Sequence, residues 1–512
     1  ILGPIVVFEN ATITTKDSFS LISESEISFA LSFKSFVIDR LLKIKTIFID
    51  GANFSIIRSI DGELQLLEYS YYEDSIININ QDNISLFEII FTNSSISIKD
   101  ELSNSSWEIF GDRFKLVVEN NNIHLEAIAI LSSQLNSRID VSIDGEIFSR
   151  DNTSERYWSF FAQLRDIDLS IFSNFYPQNK GLPISGLGNL SLWLDLNGGQ
   201  VALGTANLEL NNVIFPSHEN VKENIFYESF SLTMEWAKEV NGWFLALSNF
   251  DINNIEYTWP NDSFININLE EIDTVGTFIE IDSQLIRLDD LLPLSNLFAD
   301  SDFSKLYNEY SPSGNTSTFN MSWLVNENAP DYLMSGSFEN FSVNQVDDFF
   351  GVNNFTGRIR VSPSNGQINL LSDDMTIHWP SHFKNEVLIN KATGLLVWRK
   401  SSDGYRILSD NLELYFPGVF SKSNLEITLP INNSSPYIDL ELNIHDSDLK
   451  KIMDILPNYL YSNNFISSFD SIFSSFFLNE LSLIYNGDLQ KNILNSVYDD
   501  FHLSADFDGG LI

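Results

Sequence analysis

The sequence contains no cysteine, which excludes a disulfide framework and any thiolate metal site but chooses no compartment. It is short of positive charge: 29 Lys and Arg stand against 70 Asp and Glu, a net charge of −41. That balance excludes a nucleic-acid partner and works against docking on anionic headgroups, while keeping an apolar chain in solution. No uncharged apolar run approaches the ~20 residues needed to span a bilayer as a helix, so any membrane anchor is expected outside these residues. There is no glycine-rich phosphate loop followed by Lys-Ser/Thr and no Gly-x-Ser-x-Gly elbow, hence neither a nucleotide site nor the common serine-hydrolase nucleophile. The expectation is no enzyme and no cofactor. The chain opens on Ile1 without a basic leader, and Leu503 to Phe507 alternates like a strand before the Asp508-Gly509-Gly510 turn. Both ends are thus expected to be cuts in a longer protein.

What is present is alternation. Apolar residues make up 43% of the 512, and 41 are Phe, enough for a large apolar surface. Leu190, Leu192 and Leu194 fall on one side of a predicted strand, as do Phe230, Leu232, Met234 and Trp236 on a second, and Ile438, Leu440 and Leu442 on a third. Turn signals separate such runs: Asn197-Gly198, Asn241-Gly242, Asn365-Gly366, Asp403-Gly404 and Asn486-Gly487. A longer pattern overlies the hairpins. Ser248-Asn249 precedes Trp259-Pro260, Ser372-Asp373 precedes Trp379-Pro380, and Ser409-Asp410 precedes Phe416-Pro417, with a looser copy ending at Phe215-Pro216. A repeat of about 40 residues predicts a stack in which each unit touches only its neighbours. Proline at each close fits a strand that stops.

Helical spacing is rare. Asp289 to Tyr310 predicts one or two short helices, Asp448 to Leu460 follows an N-cap at Asp446-Ser447, and Phe465 to Leu478 reads as helix or loop. The predicted organisation is residues 1–285 as the first part of a β groove, 286–312 as a short helical insertion, and 313–512 as its continuation, with helical segments near 448–478. The class is all-β: an elongated, twisted antiparallel sheet of repeated hairpins curved into an apolar groove, with a few short helices.

Chemistry-bearing clusters are thin. His378 and His382 are four apart, but Pro380 between them at a strand end argues against a metal site on a helix. The pairs Asp289-Asp290, Asp347-Asp348 and Asp373-Asp374 are what 70 acids produce by chance and read as solvated faces. The apolar stripe carries the positive content. Sandwich packing would also produce it, yet it persists along the chain and is rich in large aromatics. The groove candidates are therefore Leu190, Leu192, Leu194, Phe230, Leu232, Met234, Trp236, Ile438, Leu440 and Leu442. An outer-membrane β-barrel and an adhesin-like structural sheet are the alternative readings.

Leu182-Pro183-Ile184-Ser185-Gly186, with Leu190-Ser191-Leu192-Trp193 and Asn197-Gly198-Gly199-Gln200-Val201 after it, resembles the central region of YhdP proteins, AsmA-like proteins related to TamB. Gly394-Leu395-Leu396-Val397-Trp398 before Asp403-Gly404-Tyr405 is similar to the same family, as is Ile455-Leu456-Pro457-Asn458-Tyr459-Leu460 before Leu481-Ser482-Leu483-Ile484-Tyr485. The chain departs from the family at Phe476-Phe477-Leu478 and Gln490-Lys491-Asn492, so no site is carried through those loops. The resemblance implies a periplasmic β groove with an inner-membrane anchor upstream. It implies phospholipid transport toward the outer membrane, with acyl chains, the two membranes and their envelope proteins as partners, and no nucleotide.

Overall fold

The computed structural model describes residues 2–14, 20–38, 40, 43–58, 64–66, 87–100, 105–119, 122–131, 137–146, 156–170, 182–198, 200–216, 224–254, 258–260, 262–272, 275–291, 307–325, 331–347, 350–381, 383, 385–402, 404–430, 437–448, 451, 477–488 and 500–508. These are almost entirely strand. They divide into two compact units, Ile1–Asn261 and Asp262–Ile512.

In the first unit, β1 (Leu2–Thr14), β2 (Ser20–Ser32) and β3 (Ile44–Asp50) form a meander, with one helical turn, α1 (Phe33–Val37), after β2. The chain continues through β4 (Asn53–Arg58), β5 (Leu64–Leu66), β6 (Phe87–Asp100), β7 (Ser105–Glu119), β8 (Asn122–Leu131), β9 (Arg138–Glu146) and β10 (Tyr157–Asp168). It ends with β11 (Ser185–Asn197), β12 (Gln200–Phe215), β13 (Ile225–Glu239) and β14 (Gly242–Asn253). From β6 onward each strand pairs antiparallel with the next. The pure hairpin expectation needs one correction: β6 runs parallel to both β3 and β4. These two are a single line broken at Gly51-Ala52, where Ser94 Oγ accepts the Ala52 N–H at 3.2 Å. Parallel neighbours need a crossover, which local turn signals do not reveal. The Asn-rich stretch 78–83 lies outside the described residues.

The second unit holds β15 (Phe264–Ile272), β16 (Gly276–Arg287), a 3₁₀ turn (Leu288–Leu291), β17 (Ser313–Val325), β18 (Asp331–Val343), β19 (Gly351–Val361) and β20 (Asn365–His378). It continues with β21 (Val387–Lys400), β22 (Gly404–Phe416), β23 (Val419–Pro430), β24 (Tyr437–Asp448), β25 (Phe477–Asp488) and β26 (Asp500–Asp508). Each pairs antiparallel with the next. Among the described residues no ladder joins β1 to β14 or β15 to β26, so neither unit closes into a barrel. Among the described residues no helix is long and apolar enough to cross a membrane.

Three local expectations change. Asp446-Ser447 is no helix cap: β24 runs through it, and Ser447 pairs with Leu478. Only Lys451 of the predicted helix beyond β24 is described, and the 465–476 stretch lies outside the described residues. Asn365-Gly366 and Asn486-Gly487 lie inside β20 and β25, and Ser362-Pro363-Ser364 makes the turn before β20, with Ser362 N–H bonded to Asn365 O at 2.8 Å.

The structure places a bulge at each Ser-Asn/Ser-Asp copy, on Asn249 itself in the first and on the residue after the pair, Asp374 and Asn411, in the other two. Among the described residues, ten strands contain one non-glycine residue with φ between +47 and +61°: Asn10, Asn93, Asp166, Asn212, Asn249, Leu285, Asn340, Asn354, Asp374 and Asn411. Across these positions the inward side chains advance by three residues instead of two, as in Leu210 to Val213, Leu247 to Phe250, Ser372 to Met375 and Ser409 to Leu412. A one-residue bulge bends the strand and shifts its alternation, so both halves face the same side. Asn and Asp tolerate this left-handed conformation better than other side-chain-bearing residues. Buried serines stitch the distorted ladder: Ser372 Oγ accepts Thr356 N–H at 2.8 Å, and Ser409 Oγ donates to Leu395 O at 2.9 Å.

Exposed Asn411, where φ is 61°, is the place to measure what the bulge costs. Asn411→Val should destabilise the β22–β23 hairpin by about 1–2 kcal/mol, the cost of a side chain with a branched Cβ in the left-handed region. Asn411→Gly should be nearly neutral. Amide exchange across β22 and β23 measures both, and equal effects would show that the left-handed residue is not what sets the bulge.

Candidate apolar groove

The ladders fix which side chains share a face. In the first unit, Leu194 lies in a row crossing twelve strands: Val6, Phe29, Ile47, Ile89, Leu116, Leu125, Ile143, Phe160, Leu194, Gly204, Trp236 and Leu245. Every side chain in it is apolar. Leu192 occupies the next row, between Ala162 and Ala206, with Met234 one strand further on. Leu190 and Leu232 lie on either side of Leu208, and Phe230 adjoins Leu210 and Ile252. The seven candidates on β11 and β13 thus share one face.

In the second unit, Ile438 continues a row of Ile267, Ile281, Met321, Met334, Val361, Gly366, Trp398, Ile407 and Ile427 and pairs onward with Gly487. Leu440 stands between Leu425 and Tyr485, and Leu442 between Ser423 and Leu483. The hydroxyls of Ser409, Ser421 and Ser423 on this face donate to backbone carbonyls, whereas buried Thr316, between Ile286 and Phe338, leaves its Oγ1 without a partner among the described residues.

The reverse face is predominantly polar. Ser191 accepts from Gln163 at 3.4 Å, Asn207 from Thr233 at 3.0 Å, and Thr233 from Asn249 at 3.2 Å, a ladder directly behind the Leu192 row. Asp195 accepts from Ser159, and Arg406 holds Glu426 through two bonds, one of 2.7 Å. His124 bridges Asp144 and Glu126 there at 2.6 and 3.1 Å. Partial burial lowers its affinity for a proton, but the two carboxylates outweigh that and hold it above the ordinary histidine value. Among the described residues no group of three His, Asp or Glu could hold a metal ion. His378 pairs with Glu386 at 3.3 Å, and His382 lies outside the described residues.

Burial on the apolar face is graded along the strands. Around the bulges and beyond them it is dry: Tyr227 is 0%, Phe230 1% and Ile252 1% exposed, and the rings of Phe215, Tyr227 and Phe230 meet edge-on at 5.7–6.1 Å. In the second unit Phe338, Phe355, Leu370, Met375, Val387, Ile389, Ala392 and Leu412 form the matching buried cluster. Toward the hairpin turns much of the same face is half-buried, including Leu190, Leu192, Leu194, Met234, Trp236, Leu440 and Leu442. Phe230, Leu232 and Ile438 therefore belong to packed regions, and the remaining seven candidates to the accessible lane.

Glycines pave that lane. A methyl built on Gly145, Gly204 or Gly366 would fall inside the ring of Trp158, Trp236 or Trp398 on the next strand, so each indole lies against bare backbone. A glycine inside a strand is the sequence signal for such close approach, and Asn365-Gly366 read as a turn concealed it.

A family model described as the YhdP protein matches residues 1–512. No curated protein matches the chain, and no solved structure does.

Proposed function

From the premise that the chain belongs to the YhdP family, we propose that it carries phospholipid between the inner and outer membranes, its apolar lane holding the acyl chains in the periplasm and its anchor lying outside these residues. The observation that supports this most is the unbroken apolar row, which crosses the first unit strand by strand without an unpaired polar group. Each CH₂ moved from water to such a surface gains ~0.8 kcal/mol, so a sixteen-carbon tail gains on the order of 10 kcal/mol. Because every strand offers the same environment, a tail moves from one to the next without returning to water. The half-buried state of the lane fits a surface awaiting cargo better than a finished core. An adhesin-like sheet needs no such surface. Direction comes from partners or from lipid consumption at the far end.

The test is a pulse of labelled phospholipid precursor in cells that depend on this protein. Depleting it should delay arrival of label in the outer membrane while inner-membrane synthesis continues. Unchanged arrival kinetics would remove the transport reading.

A further inference from the structure

The two ends of the strands treat their aromatic residues differently. At the ends beyond the bulges the rings pack on one another: Trp259 is 2% exposed against Phe250 at 5.0 Å, and half-buried Trp379 lies 5.6 Å from Phe350 and 6.4 Å from Phe383. At the hairpin-turn ends Trp158, Trp236 and Trp398 lie half-buried on their glycines, facing the accessible lane. Each is followed, one inward position closer to the turn, by a base: Arg156, Lys238 and Lys400. With only 29 bases in 512 residues, the same pairing at three separate hairpins is a pattern. All three bases are exposed. Two of them are held over an aromatic ring directly opposite in register, Lys238 over Trp243 at 5.9 Å and Lys400 over Tyr405 at 5.6 Å.

An indole has an apolar body and one polar donor, and it settles where an apolar layer meets water. A lysine or arginine just beyond it, on a chain otherwise rich in acids, supplies the charge that a phosphate requires. We propose that these three stations hold the phosphate-bearing headgroup end of the cargo. The hairpin-turn lip is then the open one, and the tails lie across the lane toward the bulges. The ring carries the glycerol end and the base meets the phosphate. The glycine beneath each ring keeps the indole low, leaving height above it for a chain. This assignment rests on the phospholipid reading and adds to it an orientation and a set of recognition residues.

Two phosphatidylethanolamine probes test it in the intact protein, one with a diazirine beside the headgroup and one with a diazirine at the far end of an acyl chain. After illumination, the headgroup probe should label peptides containing Trp158, Trp236 and Trp398 severalfold more than those containing Phe230 or Leu370, and the chain-end probe should show the reverse preference. Replacing Arg156, Lys238 and Lys400 together by Gln should cut headgroup-probe labelling at the three stations and spare chain-end labelling. Equal or inverted preferences, or indifference to the triple substitution, would overturn the orientation while leaving lipid binding intact. Absence of labelling by either probe would instead overturn the phospholipid reading on which it rests.

Discussion

Leu192→Asp and Leu440→Asp should each reduce phospholipid delivery at least about tenfold, while Ser191→Asp stays close to the parent protein. All three add one negative charge, so charge alone cannot separate them. Leu192 faces the lane between two alanines, Ala162 and Ala206, and Leu440 lies between Leu425 and Tyr485, whereas Ser191 belongs to the polar ladder behind the sheet. A lone carboxylate on an apolar surface costs several kcal/mol, and each 1.4 kcal/mol is tenfold in an equilibrium. On the proposed transport the positions would act in series, so one obstruction should suffice and the double variant should be no worse than either single one. An enzyme would show the opposite, sensitivity confined to one locality. Delivery is read from labelled phospholipid reaching the outer membrane, with protein abundance checked in parallel. Two well-folded variants that deliver normally would end the conduit account.

The second large effect concerns stability and separates the sealed part of the face from the lane. Phe230→Ala removes a ring that is 1% exposed and packed against Phe215 and Tyr227, and should cost about 3–5 kcal/mol. Met234→Ala, two inward positions away on β13 toward the turn and half-buried, should cost only about 1–2 kcal/mol, because part of its surface is already in water. Amide exchange resolves the two: protection in β12, β13 and β14 should collapse for Phe230→Ala and change little for Met234→Ala. Equal losses would mean that the burial gradient carries no energetic weight.

Much of this architecture is legible in the amino-acid sequence. Alternation in β11, β13 and β24 marks the strands and their apolar face because side-chain direction has period two, and hairpin turns do fall within one residue of two predicted signals, at Gly198 and at Val240-Asn241. The pairings of Leu190, Leu192 and Leu194 do not follow from turn position alone, because the β11–β12 ladder shifts register by one residue between Leu196 and Asp195. Other features hide for physical reasons. A bulge at Asn249 or Asn411 spends one residue to change phase, and a local reading treats Asn as a turn former without asking where the alternation resumes. Gly366 looks like half of a turn until Trp398 is known to lie opposite it, a contact between residues far apart in sequence. The parallel pairing of β6 depends on a crossover with no periodicity of its own. The division into a dry half and an accessible lane is invisible in composition, because Phe230 and Trp236 have the same apolar character and differ only in what covers them.

The central claim is that the accessible lane is a surface for acyl chains, and mass spectrometry of organic extracts from the purified protein tests it most directly. Phospholipid should co-purify with the parent protein after extensive washing, in amounts that fall in the Leu192→Asp and Leu440→Asp variants and persist in Ser191→Asp. A folded, washed protein whose extract contains no phospholipid, or the same amount in all four proteins, would contradict the account.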